Sequence, residues 1–192
     1  IHKALNSYQK EKIISSMRVL NKFSKDPKVQ GGPAFNNKIN FQFQKNLNRI
    51  SRYLYSLQYP QESVYSIAWP KTGLSKELNQ TYEKKELDLV NLHFLSDNTI
   101  SVKEIGLLKM PIVWRLNDQW PFCSCEHYST ELDDFNIPDK YILGYKRNKK
   151  FYDIKRINWL IKKNSWKRKI HVIAPSKWIA NSAYKSIIFE NQ

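Results

Sequence analysis

Polar side chains follow three apolar segments of the chain, at the points where those segments end. His93 lies near the end of the run LDLVNLHFL, Asn117 and Asp118 follow the run IVWRL, and Ser176 follows the run IHVIA. If the three runs are parallel strands, their carboxyl ends meet at one edge of a sheet, where open α/β folds bind ligands. A histidine there can act as a general base or hold a sugar hydroxyl, and a carboxylate can accept hydrogen bonds from hydroxyls.

Each of these residues also has a purely structural interpretation. A single histidine in an apolar run is often a core residue with its hydrogen bonds satisfied. Asn117 and Asp118 are typical of an Asx turn. Ser176, which precedes a helical pattern, is first a helix N-cap and only second a group at an anion-binding helix end.

The loop after Asp118 is rich in aromatic and sulfur side chains. Trp120 and Phe122 suit core positions, a stacking surface for a sugar ring, or both. Cys123, Cys125 and His127 resemble metal ligands, but the pattern C-x-C-x-H lacks the second ligand pair of a structural zinc site, so we predict no metal. Two cysteines cannot form a disulfide framework, which favours a reducing, cytosolic compartment.

The net charge of +15 is concentrated in one window of the sequence. Between Lys146 and Lys169 there are eleven Lys or Arg residues and one Asp, interleaved with aromatic residues. Such a window suits an anionic membrane surface, a charged substrate or nucleic acid, or it is a solvated helix face. Nucleic acid is disfavoured, because the sequence contains no nucleic-acid-binding signature. The residues that we predict to face a membrane or anions are Lys149, Lys150, Lys162, Lys163, Lys167 and Arg168.

Hydrophobic periodicity predicts an α/β fold. An apolar stripe of Phe43, Leu47, Ile50, Leu54 and Leu57 predicts a long helix over residues 37–57. Predicted strands alternate with helices through most of the chain, and the run LDLVNLHFL is typical of a strand buried on both faces. We therefore expect one Rossmann-like domain over residues 1–192, with a parallel sheet covered by helices on both faces. No run is long enough to span a membrane.

The segment LDLVNLHFLSDNTISVKEIGLLKMPIVWRLNDQWPFCSCEHY closely resembles the family 4 glycosyltransferases that act in polysaccharide and colanic-acid-type synthesis. The matching features are the strand ending in N-L-H, the strand before W-P-F, and the final H-Y. A later element, APSKWIA, also matches the family. Asn117 stands where the family has histidine, and Cys123 and Ser124 stand where it usually has two glycines.

This resemblance implies the N-terminal, acceptor-side half of a GT-B enzyme, with its first strand and its C-terminal donor-binding domain outside the chain. It implies no cofactor: a nucleotide-sugar is the co-substrate, and its site is expected in the C-terminal domain. The partners would be that donor, a glycan or lipid-linked acceptor, and an anionic membrane surface. The implied catalytic residues are His93 and Asp118, and the implied acceptor-binding residues are Asn117, Trp120, His127 and Ser176.

The resemblance therefore implies a hexosyltransferase-type enzyme that is active only when a C-terminal domain completes it. The expected location is the cytoplasm, with peripheral attachment to the inner face of the membrane. A non-catalytic remnant or binding module with the same fold is the alternative, and a nucleic-acid-binding basic protein ranks below both.

Overall fold

The computed structural model describes residues 14–19, 25–31, 38–62, 65–95, 99–128 and 153–190. These residues form an α/β fold in which short strands alternate with helices. In chain order the elements are β1 (Met17–Val19), β2 (Val29–Gly31), α1 (Lys38–Gln58), α2 (Leu74–Glu83), β3 (Val90–His93), α3 (Val102–Gly106), β4 (Ile112–Arg115), α4 (Ile154–Ser165), β5 (Ile170–Ile173) and α5 (Lys177–Lys185).

The central sheet is parallel, as the alternation of strands and helices predicts. Its three strands lie in the order β3-β4-β5, with Val90 opposite Ile112 and Ile112 opposite Ile170. Strands β1 and β2 form a separate parallel pair. Because all three central strands point the same way, the residues after His93, Arg115 and Ile173 lie at one edge of the sheet.

The two faces of this sheet differ. On one face, Leu92 and Trp114 are buried in the main core. On the other face, Asn91, Arg115 and His171 are exposed. Burial of the β3 strand on both faces is therefore a wrong prediction, because its polar residues alternate with its apolar ones and share the exposed face.

Helix α1 has the predicted position, but its apolar stripe faces outwards. Phe43 is 63% exposed, and Leu47, Ile50, Leu54 and Leu57 are exposed as well. The buried side of the helix instead carries Tyr55 and Asn48. Tyr55 stacks on Tyr65, with their ring centroids 4.0 Å apart, and belongs to a small second core with Ile67, Cys125 and Ile154.

Helix α3 is fixed by its N-terminal residues. Ser101 and Glu104 form a capping box, in which the serine side chain accepts a hydrogen bond from the amide of Glu104. The Glu104 carboxylate also accepts hydrogen bonds from the backbone amides of Thr72 and Gly73, both at 2.8 Å. These amides hold the pKa of Glu104 below its usual value although burial opposes this, so a buried carboxylate joins α3 to the segment before α2.

Helices α3 and α4 are in backbone contact at one residue. A Cβ atom on Gly106 would lie 2.3 Å from the carbonyl oxygen of Ser165, which is closer than any side chain allows. Nearby, the indole of Trp166 donates a hydrogen bond to the carbonyl of Val102 at 2.8 Å. Within the described ranges, no helix is long and apolar enough to cross a bilayer.

Candidate functional site

The carboxyl edge of the sheet brings His93 and Arg115 together. The two residues are Cα partners on neighbouring strands, so their side chains project from the same face. Burial lowers the pKa of His93, and the positive charge of Arg115 lowers it further. His93 is therefore a neutral imidazole near pH 7, able to accept a proton or to hydrogen-bond a hydroxyl.

Asn117 lies two residues after the end of strand β4 and orients the arginine. Its side-chain oxygen accepts a hydrogen bond from Nη1 of Arg115 at 3.1 Å. Asn117 is half-buried, and Arg115 is exposed. A hydroxyl or an anionic group brought to this edge would therefore meet an imidazole, an amide and a guanidinium.

Asp118 and His127 are joined in the interior, together with a serine from a distant segment. His127 Nδ1 lies 2.6 Å from Asp118 Oδ2, and its Nε2 lies 2.8 Å from the hydroxyl of Ser66. All three residues are buried. The other oxygen of Asp118 accepts a hydrogen bond from the amide of Trp120 at 3.0 Å. These contacts close the loop over residues 117–128 and attach it to the segment around Ser66.

Trp120 is a core residue in this fold. It is 1% exposed, its indole donates a hydrogen bond to the carbonyl of Ser66 at 2.7 Å, and its ring lies nearly parallel to that of His127. Of the two roles considered for Trp120, the structure has the core role. Contact of Trp120, His127 or Asp118 with an acceptor stays a prediction, and in this conformation all three hold the loop.

Ser176 caps helix α5. Its hydroxyl accepts a hydrogen bond from the amide of Ile179 at 3.3 Å, which is the capping role expected first. The serine is exposed, at the carboxyl end of β5. Its second role, binding an acceptor or an anion, stays a prediction.

Lys162 does not face a membrane or an anion, and that prediction is wrong. Its side chain is 0% exposed. Its ammonium group donates hydrogen bonds to the carbonyl oxygens of Ser124 at 2.6 Å, of Cys123 at 3.1 Å, and of Trp120. It also lies 3.9 Å from the centre of the Trp120 ring. Burial lowers the pKa of Lys162 to about 8, which nearby acidic groups oppose. Lys162 lies in a basic run, so its sequence neighbours are typical of a surface residue.

The rest of the basic window is divided between the surface and the interior. Lys155 is also buried, where its ammonium group forms an ion pair with Glu62 and lies 3.9 Å from Glu126. Lys163 is half-buried, with its ammonium 5.3 Å from the centre of the Trp159 ring. Lys167 and Arg168 are exposed, and the guanidinium of Arg168 donates to the carbonyl of Leu108. Lys149 and Lys150 lie outside the described residues.

The cysteines show no sign of a metal site. Both Cys123 and Cys125 are buried and form no disulfide, and burial raises the pKa of Cys125 to about 12. Across the part of the chain that the structure describes, no group of three His, Cys, Asp or Glu side chains is arranged to hold a metal ion.

A cavity of about 300 Å³ is lined by none of the predicted site residues. Its lining residues are Trp69, Lys71, Val102, Lys103 and Ile161. None of them was predicted to bind a ligand, and the cavity shares no lining residue with the carboxyl edge.

Arg115 and Ser66 were not among the predicted residues of this region, and Lys162 was predicted in a different role. Arg115 could have been noticed, because it is a charged residue at the end of an apolar run, next to Asn117. Ser66 carries no local signal, since its partner His127 lies 61 residues away. The structural role of Lys162 depends on carbonyl groups some forty residues earlier, which no sequence pattern shows.

Comparison with known proteins adds no relative. No protein-family model, curated protein or solved structure matches the chain. The described residues show only the fold class. It is an α/β fold with a three-stranded parallel sheet and interspersed helices.

Proposed function

We propose that the chain is the acceptor-side half of a family 4 glycosyltransferase. It would present a glycan or lipid-linked acceptor to a nucleotide-sugar held by a second α/β half. The support for this function is the sequence motif of the chain and the geometry of that motif.

One observation carries the proposal. The two strands of the glycosyltransferase-like segment are parallel neighbours in register, and His93 ends one while Asn117 follows the other. The loop between residues 117 and 128 then folds back through the Asp118–His127 hydrogen bond. The motif residues that are far apart in sequence thus form one connected unit at the sheet edge where α/β folds bind ligands.

The residues divide into two roles under this proposal. His93 and Asn117, which are partly accessible, would orient the acceptor hydroxyl at the edge of the sheet. Asp118, Trp120 and His127, which are buried, would act as positioning residues that keep the loop in shape. The neutral state of His93, favoured by burial and by Arg115, suits a group that must accept a proton or a hydrogen bond.

Sugar transfer by the complete polypeptide is the test. Membranes carrying lipid-linked acceptors would be incubated with labelled nucleotide-sugars, and incorporation of the label measured. We expect His93→Ala to lower the transfer rate by about 10²-fold, the usual contribution of a positioned acid–base group. His171→Ala is the matched control, because His171 is exposed on the same sheet face but lies in the middle of its strand.

Two results would count against the enzyme. If the complete polypeptide binds acceptor but transfers no sugar from any donor, the chain is the non-catalytic binding module of the same fold. If His93→Ala and His171→Ala both leave the transfer rate unchanged, the acceptor hydroxyl is not activated at this edge.

A second candidate function follows from one specific contact. Ser66, His127 and Asp118 are connected in the order of a hydrolytic triad. Ser66, however, is 4% exposed, and its backbone amide and carbonyl are bound to Cys125 and Trp120. A substrate carbonyl therefore has no approach to the hydroxyl in this conformation. Labelling of Ser66 by a fluorophosphonate would favour the hydrolase; we expect none.

A further inference from the structure

Arg115 presents free hydrogen-bond donors at the carboxyl edge of the sheet. One N–H of its guanidinium is used by Asn117. The other N–H groups of the guanidinium fork have no hydrogen-bond partner among the described residues, and the fork matches the geometry of a carboxylate or phosphate. Among the described residues, no carboxylate lies within ion-pair distance of Arg115.

His93 presents an unused nitrogen beside this arginine. Its Nε2 atom is shielded from solvent and has no hydrogen-bond partner among the described residues. A buried polar nitrogen without a partner is destabilising, so a ligand group that hydrogen-bonds to it would stabilise the complex. Because His93 and Arg115 are Cα partners on adjacent parallel strands, one small ligand can contact both side chains.

We propose that Arg115 and His93 together bind an anionic substituent, carboxylate or phosphate, on a sugar ring. Arg115 would bind the anion and set specificity, while His93 would hydrogen-bond the neighbouring ring oxygen or hydroxyl. This inference rests on the proposed function in one respect, because it takes the charged sugar that binds at Arg115 to be part of the acceptor. The acceptor would then be an acidic or phosphorylated glycan, not a neutral one.

Binding of single sugars tests this proposal without requiring catalysis. The Hε1 NMR signal of His93, assigned by comparison with His93→Gln, would be followed during three titrations. Methyl β-glucuronide supplies the carboxylate, glucose 6-phosphate supplies the phosphate, and methyl β-glucoside is the neutral control. We expect the signal to shift with one or both charged sugars and to stay in place with the glucoside. The first two titrations also distinguish a uronic acid from a phosphorylated sugar.

Variants at Arg115 separate a specific site from general charge attraction. Arg115→Thr, which preserves strand propensity, should weaken binding of the charged sugar by at least about 10-fold, the loss of a charge-assisted pair of hydrogen bonds. Arg115→Lys keeps the charge without the fork and should bind several-fold more weakly than the wild type. Arg49→Thr, on the exposed surface of α1, removes the same charge elsewhere and should leave binding unchanged. Circular dichroism checks that each variant is folded. If Arg115→Thr does not fold, the sugar binding of Arg115→Lys is compared with that of the wild type instead.

Three results would overturn the proposal. The glucoside could bind as tightly as the charged sugars, Arg49→Thr could weaken binding as much as Arg115→Thr, or no sugar could shift the His93 signal. These outcomes are distinct from failure of the proposed function. Charged sugars that bind through Arg115 to a polypeptide that transfers nothing would refute the transferase alone. Transfer to neutral acceptors that is unaffected by Arg115→Thr would refute this inference alone.

Discussion

At the residue scale, Lys162 is the group whose environment differs most from its expected one. An ammonium group in the protein interior loses its hydration, and burial of a charge is costly unless donors and acceptors are matched. Here three backbone carbonyls from residues 120–124 accept its hydrogen bonds, and the Trp120 ring lies beside it. The lysine thus connects helix α4 to the loop that carries the glycosyltransferase-like motif.

Lys162→Met should destabilise the fold. The variant keeps most of the side-chain volume but removes the ammonium group that three buried carbonyls share, although the carbonyl of Ser124 keeps its hydrogen bond from Asn158, and we expect a cost of about 3 kcal/mol. Urea unfolding followed by tryptophan fluorescence measures the change. Lys163→Met is the control. Because Lys163 is half-buried, we expect this substitution to change the unfolding free energy by no more than about 0.5 kcal/mol. Equal stability of the two variants would show that the hydrogen bonds from Lys162 to the three carbonyls do not stabilise the fold.

The titration of Lys162 should appear in the pH dependence of stability. Burial lowers its pKa from 10.5 to about 8 in the folded chain, whereas the unfolded chain keeps the ordinary value. Between these two values the unfolded state binds more protons, so the Lys162 contribution to stability rises with pH. The difference in unfolding free energy between wild type and Lys162→Met, measured from pH 7 to pH 10.5, isolates this term. A difference that is flat or falls across this range would contradict the lowered pKa.

Sequence reasoning succeeded at this scale where the signal is local. Helix caps depend on residues three positions apart, and Ser176 caps its helix as expected. It failed where burial depends on distant groups. The sequence neighbours of a lysine in a basic run do not show whether distant carbonyl groups surround it in the fold. The buried Lys162 and the exposed Lys167 therefore could not be distinguished from the sequence.

At the scale of elements, helices α3 and α4 approach each other closely at one glycine. The short helix α3 presents Gly106 to the last turn of α4, and the two backbones meet there. A side chain at this position has no room, because the obstructing atom is a backbone oxygen that cannot rotate away. The missing Cβ at residue 106 therefore sets the distance between the two helices.

Gly106→Ala should separate these helices and destabilise the fold. A Cβ atom would lie 2.3 Å from the Ser165 oxygen, and such overpacking typically costs about 1–3 kcal/mol. Since alanine favours helical backbone more than glycine does, any loss of stability reports the steric contact. Leu107→Ala, at the exposed next residue, is the control and should change stability by less than about 1 kcal/mol. A Gly106→Ala variant as stable as the wild type would show that α3 and α4 do not approach so closely.

The element types were predictable from periodicity, but their orientation was not. The spacing of Phe43, Leu47 and Leu54 identified α1 because apolar residues recur at helical intervals. The same spacing does not say which side of the helix meets the protein, and the buried side carries Tyr55 instead. In the sheet, a run with apolar character looked buried throughout, although Asn91 and His93 already mark an accessible face.

At the scale of the whole molecule, burial divides the positive charge. The chain carries a net charge of +15, yet Lys155 and Lys162 in the basic window lie in the interior. The accessible positive charge of the described window therefore lies mainly at Lys167, Arg168 and Lys169, after the end of α4. If an anionic membrane attracts the chain through this window, these residues are the ones that act.

Removing charge after α4 should weaken binding to anionic vesicles more than removing the same charge elsewhere. Each lysine at a membrane surface contributes about 1 kcal/mol, so Lys167→Gln with Lys169→Gln should lower binding roughly 30-fold at low salt. The double variant Lys45→Gln with Lys84→Gln removes equal charge from exposed positions on α1 and after α2. Its loss of vesicle binding should be several-fold smaller than the loss caused by the changes at Lys167 and Lys169. Sedimentation with phosphatidylglycerol vesicles measures binding, and the difference should shrink in high salt because screening shortens the range of surface charges. Equal losses in the two pairs would mean that net charge alone attracts the chain, with no preferred face.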